Sequence, residues 1–271
     1  MALVKNARVL RRVAVPLLLV GLAGCHRGDR RELLGDNEVL FRRAQESIER
    51  RRFLEAIRLL GDIGMVTPVP EEMDPELKLL LADAYFYQGD TISLVEAQNR
   101  YEQFVSFYPL HPRARYARYQ VGACLLAQAE EPQNDQEYAR RARDHFEAMM
   151  RELPPNDPWL PATRSMAAQA QGRLAEHEWL VAKFYFDLKQ YPGAIGRLNT
   201  VIDQYPGSSR REEAFFLMAQ SYRAVGDPEQ ARLALSRLLA DYPRGNFAAP
   251  AQKILEEIDG KAPAVGALHG G

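Results

Sequence analysis

Small and apolar residues recur along this chain in one frame that appears five times. An alanine is followed by apolar residues four and seven positions later, and a proline stands five positions after the second apolar residue. This spacing places the three side chains on one face of an α-helix, which the proline cannot continue. The copies are Ala56-Leu60-Ile63-Pro68, Ala97-Tyr101-Phe104-Pro109, Ala142-Phe146-Met149-Pro154, Ala194-Leu198-Val201-Pro206 and Ala231-Leu235-Leu238-Pro243. The pattern predicts five amphipathic helices that pack closely against partner helices.

A second small residue lies upstream of each frame and marks the partner helix. The motifs are Ala44-x-x-Ser47, Ala82-x-x-Tyr85, Gly122-x-x-Leu125, Ala182-x-x-Tyr185 and Ala219-x-x-Tyr222. Paired helices of this kind resemble the tetratricopeptide repeat, a helix–turn–helix unit of about 34 residues. The frame prolines lie 37 to 52 residues apart, so the array is irregular. We predict an all-α fold, an α-solenoid of about five tetratricopeptide-like hairpins with a C-terminal capping helix over residues 247–258.

The N-terminal segment has the features of a bacterial lipoprotein signal. Four basic residues and no acidic residue precede an apolar run over residues 13–23, which is too short to span a bilayer. The run ends in Leu22-Ala23-Gly24-Cys25, which resembles a lipobox. We expect cleavage after Gly24, a diacylglyceryl group on the sulfur of Cys25 and an acyl chain on its amine. The alternative is an ordinary signal peptide with a chance cysteine.

These features divide the chain into four parts. Residues 1–24 are the predicted signal peptide, 25–36 a polar lipidated tether, 37–258 the repeat array, and 259–271 a disordered tail rich in Gly, Ala and Pro. His26 rather than an aspartate follows the cysteine, which favours the outer membrane, on its periplasmic face, over the inner membrane. The lipid would therefore be the attachment to that membrane.

Composition and the second cysteine narrow the function further. The chain has 35 basic and 36 acidic residues without a Lys/Arg-rich run, so nucleic acid is not an expected partner. Cys124 stands in the apolar stretch Val121–Leu126, typical of a buried helical residue. With Cys25 lipidated, an intramolecular disulfide cannot form.

The sequence contains no recognisable catalytic motif. A Gly-rich phosphate loop, a nucleophile elbow and an HExxH motif are all missing, and the five histidines lack metal-ligand spacing. We therefore expect no enzyme activity, no metal and no cofactor apart from the covalent lipid on Cys25.

Aromatic residues on the first helices suggest a binding surface instead. If these helices line a groove, as in tetratricopeptide arrays, six rings occupy groove positions: Phe41, Phe86, Tyr119, Trp179, Phe186 and Phe216. Rings beside charged residues suit an extended peptide with apolar side chains. The alternative is that individual rings only fill gaps between adjacent hairpins.

Two stretches carry a more specific resemblance than the repeat. One is Tyr108-Pro109-Leu110-His111-Pro112 followed by Tyr116-Ala117-x-Tyr119-x-x-Gly122; the other runs from Arg173-Leu174-Ala175-Glu176-His177-Glu178 through Val181–Tyr185 to Ala194-Ile195-x-Arg197-Leu198 and Tyr205-Pro206. With the lipobox and five hairpins, they resemble the BamD family, lipoproteins of the outer-membrane β-barrel assembly machine. The resemblance covers residues 36 to 258. Leu153-Pro154 in place of Tyr-Pro, and a longer loop at 65–75, depart from the family pattern.

The resemblance implies a non-enzymatic scaffold. Its expected partners are the Omp85-type barrel subunit BamA, unfolded outer-membrane barrel proteins and other lipoproteins of the machine. Arg197 matches a family arginine implicated in docking on the barrel subunit, although a solvated surface arginine is the alternative. A repeat lipoprotein with another envelope role, such as secretin piloting or coordination of peptidoglycan enzymes, is the second reading.

Overall fold

Eleven α-helices and no strand make up the part of the chain that the computed structural model describes, residues 27–65 and 67–260, with side chains from Asn37 onwards. The helices are α1 (Arg27–Glu49), α2 (Phe53–Asp62), α3 (Asp74–Gln88), α4 (Thr91–Phe107), α5 (Ala114–Gln128), α6 (Glu137–Glu152), α7 (Leu160–Asp187), α8 (Tyr191–Gln204), α9 (Arg211–Ala224), α10 (Pro228–Asp241) and α11 (Ala248–Asp259). Consecutive helices pack as five hairpins, and α11 packs on α10. The predicted all-α solenoid with a capping helix is confirmed.

The frame read from the sequence forms the cores of the hairpins. All fifteen alanine and apolar positions of the five frames are buried, with between 0 and 7% of their surface exposed. The upstream alanines of the first helices, Ala44, Ala82, Ala182 and Ala219, are fully buried as well. Small residues at these crossings let the two helix backbones approach closely, because no side chain holds them apart.

Helix α7 is long because it serves two cores. Ala167 and Ala170, in its N-terminal half, pack with the second and third hairpins. Trp179 and Ala182, further along the helix, pack with α8, α9 and α10. The 28-residue helix α7 therefore joins the N-terminal and C-terminal halves of the array as one continuous element.

The turn within four of the hairpins uses a left-handed residue seven positions after the small residue of the first helix. Gly89 and Gly226 have φ of 77° and 83° there, and Arg51 and Lys189 take φ of 60° at the same place. Glycine adopts this conformation without steric cost, whereas the two basic residues do not. In the third hairpin a longer loop, residues 129–136, replaces this turn.

The main difference from the sequence prediction lies at the N-terminus of the array. Helix α1 begins at Arg27, ten residues before the predicted start of the array at Asn37, so residues 27–36 of the predicted tether are helical. No proline lies between Arg27 and Arg52, so none of these residues is incompatible with a helix. The predicted signal peptide, Cys25 and residues 261–271 of the tail lie outside the described residues. Among the described helices, none combines the length and hydropathy needed to cross a membrane.

Candidate partner-binding face

The first helices of the hairpins lie side by side and form one face of the array, here called the first-helix face. Besides contacting its own partner, α1 contacts α3, α5 contacts α7, and α7 contacts α9. All six predicted groove rings are carried by these helices. The six rings fall into three groups, which pack against different cores.

In the N-terminal half, three of the predicted rings are half-buried. Phe41 is half-buried against the core of the first hairpin. Phe86 and Tyr119 are half-buried against the core of the second and third hairpins. Tyr119 packs on Phe146, with ring centroids 5.7 Å apart, and burial raises the pKa of its hydroxyl. Each ring therefore has a packing role, and only part of it remains exposed.

In the C-terminal half, Phe186 and Phe216 are half-buried against the core of the fourth and fifth hairpins. Phe186 contacts Tyr191 edge to face at 5.7 Å, and Phe216 lies 5.0 Å from Phe247, the residue before α11. Trp179 differs, because only 6% of its surface is exposed and it belongs to the core. A peptide could reach Trp179 only if the side chain above it moved.

That covering side chain is Arg210, in the loop before α9. Its guanidinium carbon lies 3.9 Å from the centre of the Trp179 ring, a close cation–π contact. Arg210 Nε and Nη2 each donate to Glu176 at 2.7 Å, and Nη1 donates to Glu213 at 3.2 Å. The bond to Glu176 is the main cause that raises the pKa of Arg210. Beneath it, Trp179 Nε1 is buried and makes no hydrogen bond to any described residue.

A buried carboxylate, Asp83 on α3, organises a similar contact in the N-terminal half. Tyr101 Oη donates to it at 2.5 Å and Tyr116 Oη at 2.6 Å. Arg113 lies 3.6 Å from Asp83 and donates to Glu76 at 2.7 Å. Burial raises the pKa of Asp83, and the two tyrosine bonds and Arg113 oppose that rise. Glu76 and Asp83 are therefore both engaged in pairs within the protein.

Arg113 and Arg210 occupy equivalent places in the array. Each directly precedes a first helix, pairs with a glutamate six positions before the small residue of the preceding first helix (Glu76 before Ala82, Glu176 before Ala182), and stacks over an aromatic ring. Such charge-assisted pairs fix geometry as well as adding energy. The two arginines therefore fasten the second hairpin to the third and the fourth to the fifth.

The stretch from Arg173 to Glu178, which the repeat does not require, holds the long loop of the third hairpin. Arg173 Nη1 donates to the carbonyl oxygens of Ala129 at 2.8 Å and Glu130 at 2.7 Å. His177 Nδ1 donates to the carbonyl oxygen of Pro132 at 2.6 Å. Both side chains come from α7, so this helix supports a loop that lacks the tight turn of its counterparts.

Arg197 on α8 pairs with the last residue of the same stretch. Its Nη1 donates to Glu178 at 2.9 Å, and 46% of the Arg197 side chain is exposed, against 17% for Glu178. Part of the guanidinium therefore faces solvent while the pair holds α8 to α7.

The family model described as YfiO, an outer membrane lipoprotein, matches residues 35–235, from α1 into α10. This chain belongs to the YfiO family of outer membrane lipoproteins. The match includes the two arginine contacts, the α7 stretch and all six predicted rings. Three relatives of the YfiO chain are outer membrane protein assembly factors named BamD, and the family predicted from the sequence is confirmed.

The relatives share the whole length of the array at low identity. BamD of Caulobacter vibrioides is 24% identical over 263 residues, covering 96% of this chain and 84% of the relative. BamD of Rickettsia prowazekii is 23% identical, covering 91% and 98%. BamD of Haemophilus influenzae is 24% identical, covering 96% and 99%. A solved structure titled as the TPR2AB-domain:pHSP90-complex of yeast Sti1 aligns over 82% of this chain and 84% of its own, with a TM-score of 0.37 and 14% identity.

The loop between α6 and α7, residues 153–159, covers the third hairpin and was not predicted from the sequence. Asp157 is buried, accepts from Arg115 at 2.6 Å and from the backbone N–H of Trp159 at 2.9 Å. Trp159 then packs on Tyr119 with centroids 5.3 Å apart, and on Tyr116 at 6.0 Å. The signal was the Asp157-Pro158 pair, a typical start of a side-chain-capped turn. The Trp159 ring of this loop therefore covers part of the Tyr119 ring and limits how much of it a partner could contact.

The described residues contain no group of three or more His, Cys, Asp or Glu side chains placed to hold a metal ion. Cys124 is buried, and burial raises its pKa to about 12, so the thiol is a core residue as predicted. What the YfiO fold presents is an array of packed rings and paired charges, which suits protein contacts.

Proposed function

We propose that this protein is a non-enzymatic, lipid-anchored subunit of the outer-membrane β-barrel assembly machine. In this role it docks on the Omp85-type barrel subunit, BamA, and helps to receive unfolded barrel proteins. The observation that carries the proposal is the YfiO family match over residues 35–235, supported by the BamD relatives. A solenoid of hairpins offers an extended surface for such contacts.

The attachment would be made by lipid on Cys25, at the periplasmic face of the outer membrane. Two or three acyl chains hold a protein stably at a bilayer, whereas a single chain binds only marginally. Replacing Cys25→Ser should abolish labelling by radioactive fatty acid and leave a soluble or signal-retaining protein. Unchanged acyl labelling would refute lipidation at this residue.

Arg197 is the proposed docking residue for the barrel subunit. Arg197→Glu should weaken co-purification with that subunit, because the exposed part of the guanidinium reverses its charge. The Arg197–Glu178 pair is half-exposed and contributes about 0–1 kcal/mol, so the fold should survive its loss.

Glu178→Gln is the matched control, since it removes the same internal pair and keeps Arg197. The exchange of both charges, Arg197→Glu with Glu178→Arg, restores the pair but not the docking charge. We expect Glu178→Gln to retain the barrel subunit and the exchanged variant to lose it. Normal co-purification of Arg197→Glu would show that this assignment is wrong.

The half-buried rings are proposed to contact barrel proteins whose chains end in an aromatic residue. A photo-crosslinking phenylalanine analogue at Phe86 or Phe186 should capture a peptide of that kind. The control position is Leu54 on α2, which is 68% exposed but belongs to a second helix. Equal crosslinking at Leu54 would argue against a site on the first-helix face.

Affinity purification from detergent-solubilised membranes separates this proposal from the other envelope roles. We expect an Omp85-type barrel subunit among the recovered proteins. Recovery of a secretin or of peptidoglycan enzymes, without such a barrel subunit, would overturn the proposal.

A further inference from the structure

The end of α4 and the loop that follows it display two apolar side chains to solvent. Leu110 is 96% exposed and Phe107 is 65% exposed. The loop itself is well anchored, because His111 packs edge to face on buried Phe104 at 5.4 Å and its Nδ1 accepts from the backbone N–H of Arg113 at 3.2 Å. A proline directly before Leu110 and another directly after His111 fix the backbone further. These contacts and the two prolines fix the conformation of the loop, and Leu110 is exposed on it.

This loop lies on the edge of the array where the chain enters the fold. The side chain of Asn37 on α1 donates to the carbonyl oxygen of Pro68 at 3.3 Å and accepts from the N–H of Gly64 at 3.4 Å. Next along the edge, Glu76 near the start of α3 bonds to Arg113 at 2.7 Å. We call this row the entry edge; it is formed by Asn37, residues 63–65 and 67–73, and residues 107–113. Met65, also on it, is 78% exposed.

The predicted lipid anchor reaches the array at the same edge. Residues 27–36 of α1 continue past Asn37, and ten helical residues measure about 15 Å. Cys25 precedes Arg27 by two residues, at most about 7 Å of extended chain. A lipid on Cys25 would therefore hold the bilayer within about 20 Å of the entry edge. An α1 inclined to the bilayer brings the loops against its surface.

We propose that the entry edge of the first two hairpins rests on the phospholipid surface, with Leu110 and Phe107 inserted among the lipid headgroups. The inference rests on the lipidation proposed for Cys25. Amphipathic surfaces bind the headgroup region in proportion to the apolar area they bury there. The anchor makes this second contact intramolecular, so a small apolar area is sufficient. The contact would fix which side of the array faces the membrane.

The opposite edge supplies a matched control. Ile92, at the start of α4, is 82% exposed and lies beside the turn between α3 and α4. The remaining part of α1, from Asn37 to Glu49, separates the two edges by about 20 Å. One planar bilayer cannot cover both edges. Ile92 is therefore expected to stay in water.

The test uses environment-sensitive labels on single introduced cysteines. Cys25 is blocked by lipid and Cys124 is buried, so Leu110→Cys and Ile92→Cys each provide one reactive thiol. The lipidated, labelled protein is reconstituted into vesicles of phosphatidylethanolamine and phosphatidylglycerol. We expect the label at 110 to brighten several-fold and to be quenched by spin-labelled lipid, while the label at 92 keeps its value in water.

A second measurement does not need the anchor. In the unlipidated Cys25→Ser chain without its leader, Leu110→Ser should lower partition into the same vesicles by about tenfold, the effect of losing one buried leucine. Ile92→Ser should leave partition unchanged. Both positions are exposed, so neither change should unfold the protein.

The outcomes separate this inference from the proposed function. If the wild-type protein floats with vesicles but the label at 110 stays in water, the anchor stands and the membrane-resting edge is wrong. Equal responses at 110 and 92 would also overturn it. A response at 110 that requires the Omp85-type barrel subunit would identify a protein contact instead. If the wild-type protein does not float with the vesicles, the proposed lipidation of Cys25 is wrong, and the inference that depends on it is wrong as well.

Discussion

The buried carboxylate Asp83 offers the sharpest test of how the second and third hairpins are joined. Asp83→Ala leaves the hydroxyls of Tyr101, which is fully buried, and Tyr116, which is half-buried, without their acceptor. A buried polar group without its partner costs about 1–3 kcal/mol. Arg113 also loses Asp83 but still donates to Glu76, so the free energy lost at Arg113 is smaller than that lost at the two tyrosines.

Asp83→Ala should lower the free energy of unfolding by about 2–5 kcal/mol. This figure is the cost of two tyrosine hydroxyls without an acceptor, reduced because the unfavourable burial of the Asp83 carboxylate is removed as well. The reduction arises because burial already raises the pKa of Asp83, which means that its charged form is disfavoured in the fold. Urea denaturation followed by circular dichroism measures the change. Asp203→Ala, at an exposed position on α8, is the control and should change stability by less than about 0.5 kcal/mol.

Removing the orphaned hydroxyls distinguishes this explanation from simple loss of packing. Adding Tyr101→Phe and Tyr116→Phe to Asp83→Ala should recover about 1–3 kcal/mol relative to the sum of the separate changes. Strictly additive effects would refute the reasoning, because they would mean that the carboxylate and the tyrosines do not act as one network.

Three further predictions concern local features. Lys189→Gly should raise the thermal midpoint, with a gain of up to about 1 kcal/mol, because glycine takes φ of 60° without strain; a lower midpoint would contradict this. Cys124 should react with a thiol reagent only after denaturation, since burial raises its pKa to about 12, and rapid native labelling would show an open core. Burial lowers the pKa of His145, so the unfolded chain binds a proton near about pH 6.5 that the fold does not, and stability should fall as the pH drops below that value. Urea midpoints of His145→Gln should fall less between about pH 7.5 and about pH 5.5; an equal fall would exclude this histidine as the cause.

The helices and their buried faces could be predicted from the sequence because they depend on local order. A spacing of four and three selects one helix face, and proline or glycine marks where a helix ends. The observed bounds of the capping helix α11, from Ala248 to Asp259, differ from the predicted 247–258 by one residue at each end. The start of α1 at Arg27 was missed because residues 27–36 include Gly28 and Gly35 and lack apolar residues at helical spacing.

The candidate site could be predicted only in part. The positions of the aromatic rings on first helices follow from the repeat, but their accessibility depends on residues far along the chain. Arg210 covers Trp179 from 31 residues away, and Trp159 closes over Tyr119 from 40 residues away. Neither partner belongs to the repeated frame, so no periodicity announces them.

The sequence by itself determined the repeat, the fifteen buried frame positions, the all-α class and the family resemblance. Only the tertiary structure showed what the non-repeated residues do. Arg173 and His177 bind the backbone of a loop, and Arg210 covers the ring of Trp179. Asp83 accepts hydrogen bonds from two tyrosines. The physical reason is that helix formation and amphipathicity are read from neighbours within one or two turns. Pairing of charges and rings across hairpins depends on how those helices finally pack.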